Sequence, residues 1–329
     1  MGLSIVGVVS QLDVLFGVIA SGLLYLGSSL SQKVMYLIAS LLFSLALARE
    51  DSFEDSSERR EKFTFTEYDD DFARQIMFPI STAAYGFNAL HIESCLNRTI
   101  GDGTGIYQYS HSCQNGECSG FVAKLPRYRA IIIGFRGTQV PGQLIQQSID
   151  SVLKPWSRWD YGGHISLYFH RAFHMIWQGL EGRVYTYIYE HPDWDIWIGG
   201  HSLGGALATL AAFFLVHSRL VQPDAVKLMT FGQPRVGDKA FADAFDDEVD
   251  YAYRVVHLRD MVPSILRSGY WHQGAEIFYQ SGMRPGESIL CERSELPYCS
   301  ESVWSLSIQE HKTYFGKVIG DYGETGCKP

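Results

Sequence analysis

An α/β architecture is the fold class that this sequence predicts, with a mostly parallel central sheet covered by helices on both faces, and three observations carry it. From Arg129 onward, short apolar runs at 130–135, 195–198, 226–231 and 251–258 read as buried strands. Between them lie helical patterns long enough to cross back over a sheet, as parallel neighbours require. With 329 residues, 46% of them apolar, the chain can also bury the large core that a layered domain needs.

Taken from the amino end, residues 1–48 carry few charges, Asp13 and Lys33, and hold two apolar runs, 3–30 and 34–48. The second run follows Lys33 and ends in Ala46-Leu47-Ala48 before Arg49-Glu50. A basic flank, a short apolar stretch and small residues at the cut make a signal peptide, with cleavage expected after Ala48. Met35 heads this stretch, so a product begun there carries that leader alone. The competing reading is a membrane anchor over 3–30, long enough to span but interrupted by Gln11 and Asp13. Residues 49–65 read as an acidic, polar linker, leaving 66–329 as the folded domain.

Within that domain, residues 71–86 are expected to form a first helix, followed by a cysteine-bearing stretch running over the surface. Phe173, Ile176, Trp177, Leu180, Val184 and Tyr187 recur at helical spacing, 203–220 is a nearly all-apolar helix, and 238–249 is amphipathic with Asp238 as its cap. All six cysteines lie after the leader, and an even number in an exported chain reads as disulfides. Of the possible pairings, Cys113 with Cys118 and Cys291 with Cys299 are close in sequence, which leaves Cys95 and Cys327 to tie the ends of the domain. There is no zinc-type Cys-x-x-Cys pair with histidine partners, so no metal is expected. Asn97-Arg98-Thr99 is a glycosylation sequon, given weight by the export signal.

The formal charge of −9, with no Lys/Arg-rich block, excludes a nucleic-acid surface and suits a neutral or apolar substrate. The sharpest chemical signal is Gly200-His201-Ser202-Leu203-Gly204, a G-x-S-x-G between a predicted strand and a predicted helix. Such a strand-to-helix turn strains the serine backbone and aims Oγ outward, and Gly200 and Gly204 let neighbouring backbones pass. This context makes Ser202 the candidate nucleophile of an α/β-hydrolase fold.

A serine hydroxyl needs a base to take its proton, and the base needs an acid to hold its tautomer. In this fold the order is Ser, then acid, then His. Downstream of Ser202 lie His217, within a predicted helix, His257, within a predicted strand, His272 and His311. His311 is favoured because it lies in a late segment free to return to the strand ends, with His272 as its rival. Asp260 is the favoured acid, at the end of the run 253–258, ahead of Asp224, Asp238 and Glu276. The oxyanion donors expected are the Leu203 backbone N–H and Thr138, which follows the strand Ile131-Ile132-Ile133-Gly134-Phe135 and the turn Arg136-Gly137. Residues 140–153 then place Leu144, Ile145, Ile149, Val152 and Leu153 on one helical face, as a lid over an apolar cleft or a fixed surface helix would.

Together these segments resemble the class 3 lipases, secreted triacylglycerol lipases of filamentous fungi with relatives in nematodes and plants. The resemblance rests on Gly134-Phe135-Arg136-Gly137-Thr138, Gly200 to Ala208, Thr230 to Gly237, Asp260-Met261-Val262-Pro263, and His311 before Tyr314-Phe315. It implies Ser202, Asp260 and His311 as a triad, Thr138 and Leu203 as the oxyanion hole, a lid after Thr138, and one end-to-end disulfide with two short ones. The chain departs from the family pattern in Phe169-His170-Arg171-Ala172-Phe173, where the family usually has glycine before the phenylalanine and this chain has Ala172. It also departs at Ser264-Ile265-Leu266, without a second proline, and in a lid without tryptophan. The expected activity is a secreted acylglycerol lipase working at a lipid–water interface through an acyl-enzyme, without a cofactor and without an obligate protein partner. A phospholipase A, a feruloyl or short-chain esterase with the same triad, and an inactive lipid-binding relative are the alternatives.

Overall fold

The computed structural model describes residues 67–113, 116–137, 155–291, 299–302 and 307–329. The expected leader, the linker, Thr138 and the expected lid residues Leu144, Ile145, Ile149 and Val152 lie outside them. The described residues belong to one unit, Phe65–Pro329.

The first helix runs as Asp70–Phe72, a π-helical stretch Ala73–Met77, and Phe78–Ala83 (together α1). Asp69 caps it, accepting from the Phe72 amide at 2.6 Å. It stops short of the expected 86, because the chain turns at Tyr85 and Gly86 and restarts as α2 (Ala89–Thr99), capped by Asn88. The stretch expected to run over the surface is instead a hairpin of β1 (Thr104–Cys113) and β2 (Gly116–Leu125). The hairpin continues antiparallel into β3 (Ala130–Phe135). A short ribbon, β4 (Trp156–Arg158) with β5 (His164–Ser166), leads into the long α3 (Leu167–Glu190).

Strand and helix then alternate as expected: β6 (Asp195–His201), α4 (Leu203–His217), β7 (Val226–Phe231), α5 (Lys239–Asp246), β8 (Ala252–His257) and β9 (Ala275–Tyr279). Asp238 caps α5, as its position before an amphipathic stretch predicts. The strand expected over 195–198 runs three residues further, because Gly199 and Gly200 pair with both β3 and β7. The helix expected over 203–220 ends at His217, where Arg219 takes a left-handed φ of 56°. The helix expected over 238–249 ends at Asp246. The chain closes with β10 (Ser288–Cys291), α6 (Ile308–Lys312), the ribbon β11 (Thr313–Tyr314) with β12 (Lys317–Val318), and α7 (Ile319–Glu324).

The eight-stranded sheet has the order β1-β2-β3-β6-β7-β8-β9-β10. Strands β3, β6, β7, β8 and β9 are parallel, and antiparallel strands flank them on both sides. This is the mostly parallel sheet of an α/β-hydrolase fold. Alternate residues of β3 serve two cores: Ile131, Ile133 and Phe135 pack with α3, α4 and α5, whereas Ala130 and Ile132 pack with α1 and α2. Both faces are apolar, so β3 reads as a continuous run and not as an alternation. The disulfides are Cys95–Cys327, Cys113–Cys118 and Cys291–Cys299. The first ties α2 to the end of the chain.

Candidate active site

Between the last residue of β6, His201, and the first of α4, Leu203, only Ser202 makes the turn. Its φ of 58° and ψ of −128° place a non-glycine residue in a strained region, held by its amide donating to Phe231 O at 2.9 Å. The flanking glycines are required by space. A Cβ at Gly200 would lie 2.3 Å from the Gly204 carbonyl oxygen, and a Cβ at Gly204 would lie 2.2 Å from the Phe135 carbonyl oxygen. The tight turn thus brings the end of β3 directly against the start of α4.

The chain returns to this point with His311, which lies 109 residues beyond Ser202 and 51 beyond Asp260. His311 Nε2 lies 2.9 Å from Ser202 Oγ, and its Nδ1 lies 2.9 and 3.0 Å from the two oxygens of Asp260. Asp260 sits just past β8, and Ser307 runs alongside it in parallel, its amide donating to Arg259 O at 2.7 Å. Ser307 then caps α6, whose single turn presents His311 inward. Outside, Arg259 and Glu310 form an ion pair at 3.0 Å that joins the same two segments. All three side chains are buried.

Asp260 also accepts from the Tyr314 hydroxyl at 2.6 Å and the Val262 amide at 2.8 Å. Burial pushes its carboxyl up, but the His311 ring and these two donors outweigh that and hold it below the usual carboxylate range. Asp260 is therefore an anion at neutral pH, and its contact fixes the Nδ1–H tautomer of His311, leaving the Nε2 lone pair to face Ser202. Such an arrangement can take a proton from a hydroxyl and stabilise the cation that results.

The rivals have other occupations. His272 Nε2 donates to Pro263 O at 2.9 Å from a fully buried position. His257 donates from Nδ1 to Thr313 O at 2.7 Å, and His217 meets Glu248 at 2.7 Å on the surface. Asp224 lies in a short turn before β7, Asp238 caps α5, and Glu276 binds Ser300 and pairs with Arg254. Of the expected oxyanion donors, Leu203 is the first residue of α4, where a backbone amide has no helical acceptor. Thr138 is outside the described residues, but its neighbour Arg136 is buried and donates to Glu117 O at 2.9 Å, anchoring the loop to the β1–β2 hairpin. Asn97 is exposed in the last turn of α2.

Three residues at the site were given no role by the sequence, although Gly232 and Tyr314 lie within segments that carry the family resemblance. Tyr314 reaches Asp260 from three residues beyond His311, a spacing that hints at proximity but not at a hydrogen bond. Gly232 has a φ of +57°, and a Cβ there would fall 2.6 Å from Asp260 Oδ2 and 2.8 Å from His311 Nδ1. Tyr85, from just past α1, hydrogen-bonds His201 Nδ1 at 2.7 Å across 116 positions.

Comparison with known proteins shows the family and the fold. Residues 132–268 match the family described as lipase (class 3). Lipase ZK262.3 of Caenorhabditis elegans is 30% identical over 302 residues, covering 80% of this chain and 84% of the nematode protein. A lipase of Rhizopus niveus is 28% identical over 219 residues, covering 64% of this chain and 53% of its own length. Phospholipase A1-II 1 of Oryza sativa is 38% identical over a shorter stretch of 140 residues, 42% of this chain and 33% of the rice protein. Among solved structures, lipase II from Rhizopus niveus superposes with a TM-score of 0.65 at 25% identity, covering 77% of this chain and 94% of that one.

Proposed function

The chain belongs to the class 3 lipase family, and on that premise we propose that it is a secreted acylglycerol lipase with Ser202 as nucleophile, His311 as general base and Asp260 as its orienting acid. It is a serine carboxylic ester hydrolase, as its lipase relatives are. The observation that carries the assignment of roles is the unbroken contact from Asp260 through His311 to Ser202 Oγ. His311 Nε2 takes the Ser202 proton as Oγ attacks the ester carbonyl carbon. The tetrahedral oxyanion is received by the Leu203 amide and, in this reading, by Thr138. Protonated His311 then hands its proton to the departing alcohol oxygen, leaving an acyl-enzyme. Water, deprotonated by His311, attacks that ester, releases the fatty acid and restores Ser202.

A lipid ester is supported by the apolar residues beside each reacting group: Leu203 after Ser202, Met261 and Val262 after Asp260, and Ile308 one turn before His311. A segment over 140–153 acting as a lid at a lipid–water interface belongs to the same reading. The likeness to the rice phospholipase favours a second reading, release of an acyl chain from a phospholipid by the same groups. Export is supported by the leader pattern and by cysteines that are all disulfide-bonded. In this reading the mature protein begins at Arg49, with 66–329 as its catalytic domain.

The test is hydrolysis of triacylglycerols of varied chain length, with and without an oil–water interface, beside phospholipid vesicles and the Ser202→Ala variant. Release of long-chain acids that is accelerated at the interface and abolished in Ser202→Ala supports the lipase. Ser202-dependent release from phospholipid alone moves the function to the second reading, and undiminished activity in Ser202→Ala overturns the triad. Amino-terminal sequencing of the exported protein tests the cleavage, and a start before Leu30 overturns it in favour of an anchor.

A further inference from the structure

Beside the triad, a second hydrogen-bonded chain runs through two buried side chains, Tyr85 and His201. It starts at Gly137, whose backbone lies directly against the Tyr85 oxygen. The Tyr85 oxygen lies 2.7 Å from His201 Nδ1, and His201 Nε2 lies 2.8 Å from the main-chain oxygen of His311. The last contact sets every proton. A carbonyl oxygen only accepts, so His201 carries its hydrogen on Nε2 and donates it to His311 O. The Nδ1 of a neutral ring is then a lone pair, so Tyr85 must be its donor. Tyr85 can play only that part, because burial pushes its hydroxyl well above the usual tyrosine range and keeps the proton on it.

We propose that Tyr85 and His201 are positioning residues that lock the main chain of His311 to the glycine preceding Thr138, so that base and oxyanion loop keep one fixed separation. The inference rests on the roles assigned above to Ser202, Asp260 and His311. Space around Gly137 agrees with it: a Cβ there would meet Tyr85 Oη at 2.3 Å and the His201 carbonyl oxygen at 2.6 Å. The loop glycine is thus seated directly on the start of the chain.

The same chain serves the charge that His311 must carry during the reaction. The His201 and His311 rings stack with centroids 4.6 Å apart. A second cation at that distance would oppose protonation of His311 when it takes the Ser202 proton. Burial, and after it the nearby His311, hold the His201 imidazole down at about 3, and the Tyr85 donor occupies the lone pair that a proton would need. His201 is therefore a neutral donor throughout the working range.

The test is steady-state hydrolysis of soluble p-nitrophenyl butyrate, with thermal unfolding measured alongside, for Tyr85→Phe, His201→Gln, His201→Leu and Ser202→Ala. Loss of one buried hydrogen bond that acts on geometry predicts kcat about tenfold lower in Tyr85→Phe with KM within about twofold of the parent. His201→Leu removes the donor to His311 O and is expected to lose roughly 100-fold in kcat. His201→Gln restores an N–H for the same oxygen and should recover to within about tenfold of the parent. Folded Tyr85→Phe and His201→Leu with parental kcat overturn the proposal, as does a loss that follows only the fraction unfolded. Should His201→Leu fail to fold, Tyr85→Phe decides alone, since it removes a single oxygen. Ser202→Ala separates the two levels: an active Ser202→Ala means the triad itself is misassigned, whereas an inactive one beside a fully active Tyr85→Phe refutes only the positioning chain.

Discussion

Removing the Tyr314 hydroxyl tests how the buried carboxylate is held. In Tyr314→Phe the ring keeps its edge contacts with Phe231, His201 and His257, so packing is unchanged and one oxygen is lost. That oxygen donates at 2.6 Å to Asp260 Oδ2, whose remaining contact is a His311 Nδ1 at 3.0 Å shared with Oδ1. A hydrogen bond to a buried charge contributes about 1.5–3 kcal/mol. At about 2 °C per kcal/mol for a domain of this size, the midpoint of thermal unfolding at pH 7 should fall by roughly 3–6 °C.

The pH dependence has a definite sign. Asp260 is held below its ordinary range in the folded protein, so its contacts add stability that is fully present above the unfolded value near about 4. That stability is lost as the pH falls through the lower folded value. Tyr314→Phe takes away one of the donors that lower it, so acid unfolding should begin at a higher pH than in the parent. The assay is thermal unfolding at steps from pH 7 down to pH 3. An unchanged midpoint at pH 7 together with an unchanged acid limb would refute this account of the site's electrostatics.

Glycine substitutions separate a required glycine from a tolerated one. Gly204→Ala forces a methyl to within 2.2 Å of the Phe135 oxygen, and since backbone lies on both sides it should abolish soluble, active protein. Gly182→Ala, inside α3 with open space around it, should instead stabilise by about 0.5–1 kcal/mol, measured by urea unfolding. Replacing Cys95 and Cys327 together by serine opens a loop of 232 residues and should cost about 2–5 kcal/mol, read as a lower unfolding midpoint with the ester hydrolysis of the folded protein retained.

The parallel part of the sheet was legible because strands buried on both faces form nearly continuous apolar runs, as β3 does throughout and β7 does apart from Lys227 and Thr230. The β1–β2 hairpin was not. Strand β1 lies at the sheet edge and is half-solvated, and its sequence Thr-Gly-Ile-Tyr-Gln-Tyr-Ser-His-Ser-Cys offers neither an apolar run nor a clean alternation. Helix ends were displaced by a few residues where a turn, and not the apolar pattern, stopped the helix: at Gly86 after α1 and at Arg219 after α4.

Ser202 and its two glycines could be named from five consecutive residues because the constraint is local: a strand, one residue, and a helix. Asp260 and His311 needed the additional rule of chain order, since each is a common residue with several rivals. What the sequence by itself determined is therefore the layered α/β class, the strained serine turn, and the identity of the residues whose chemistry a serine hydrolase requires. Only the tertiary structure decided how those residues are supported. The Tyr314 bond to Asp260, the left-handed Gly232 beneath it, and the chain from Gly137 through Tyr85 and His201 to His311 join segments up to 116 positions apart. A hydrogen bond between distant segments leaves no periodicity along the chain, because its direction and length are set by packing after the segments have met.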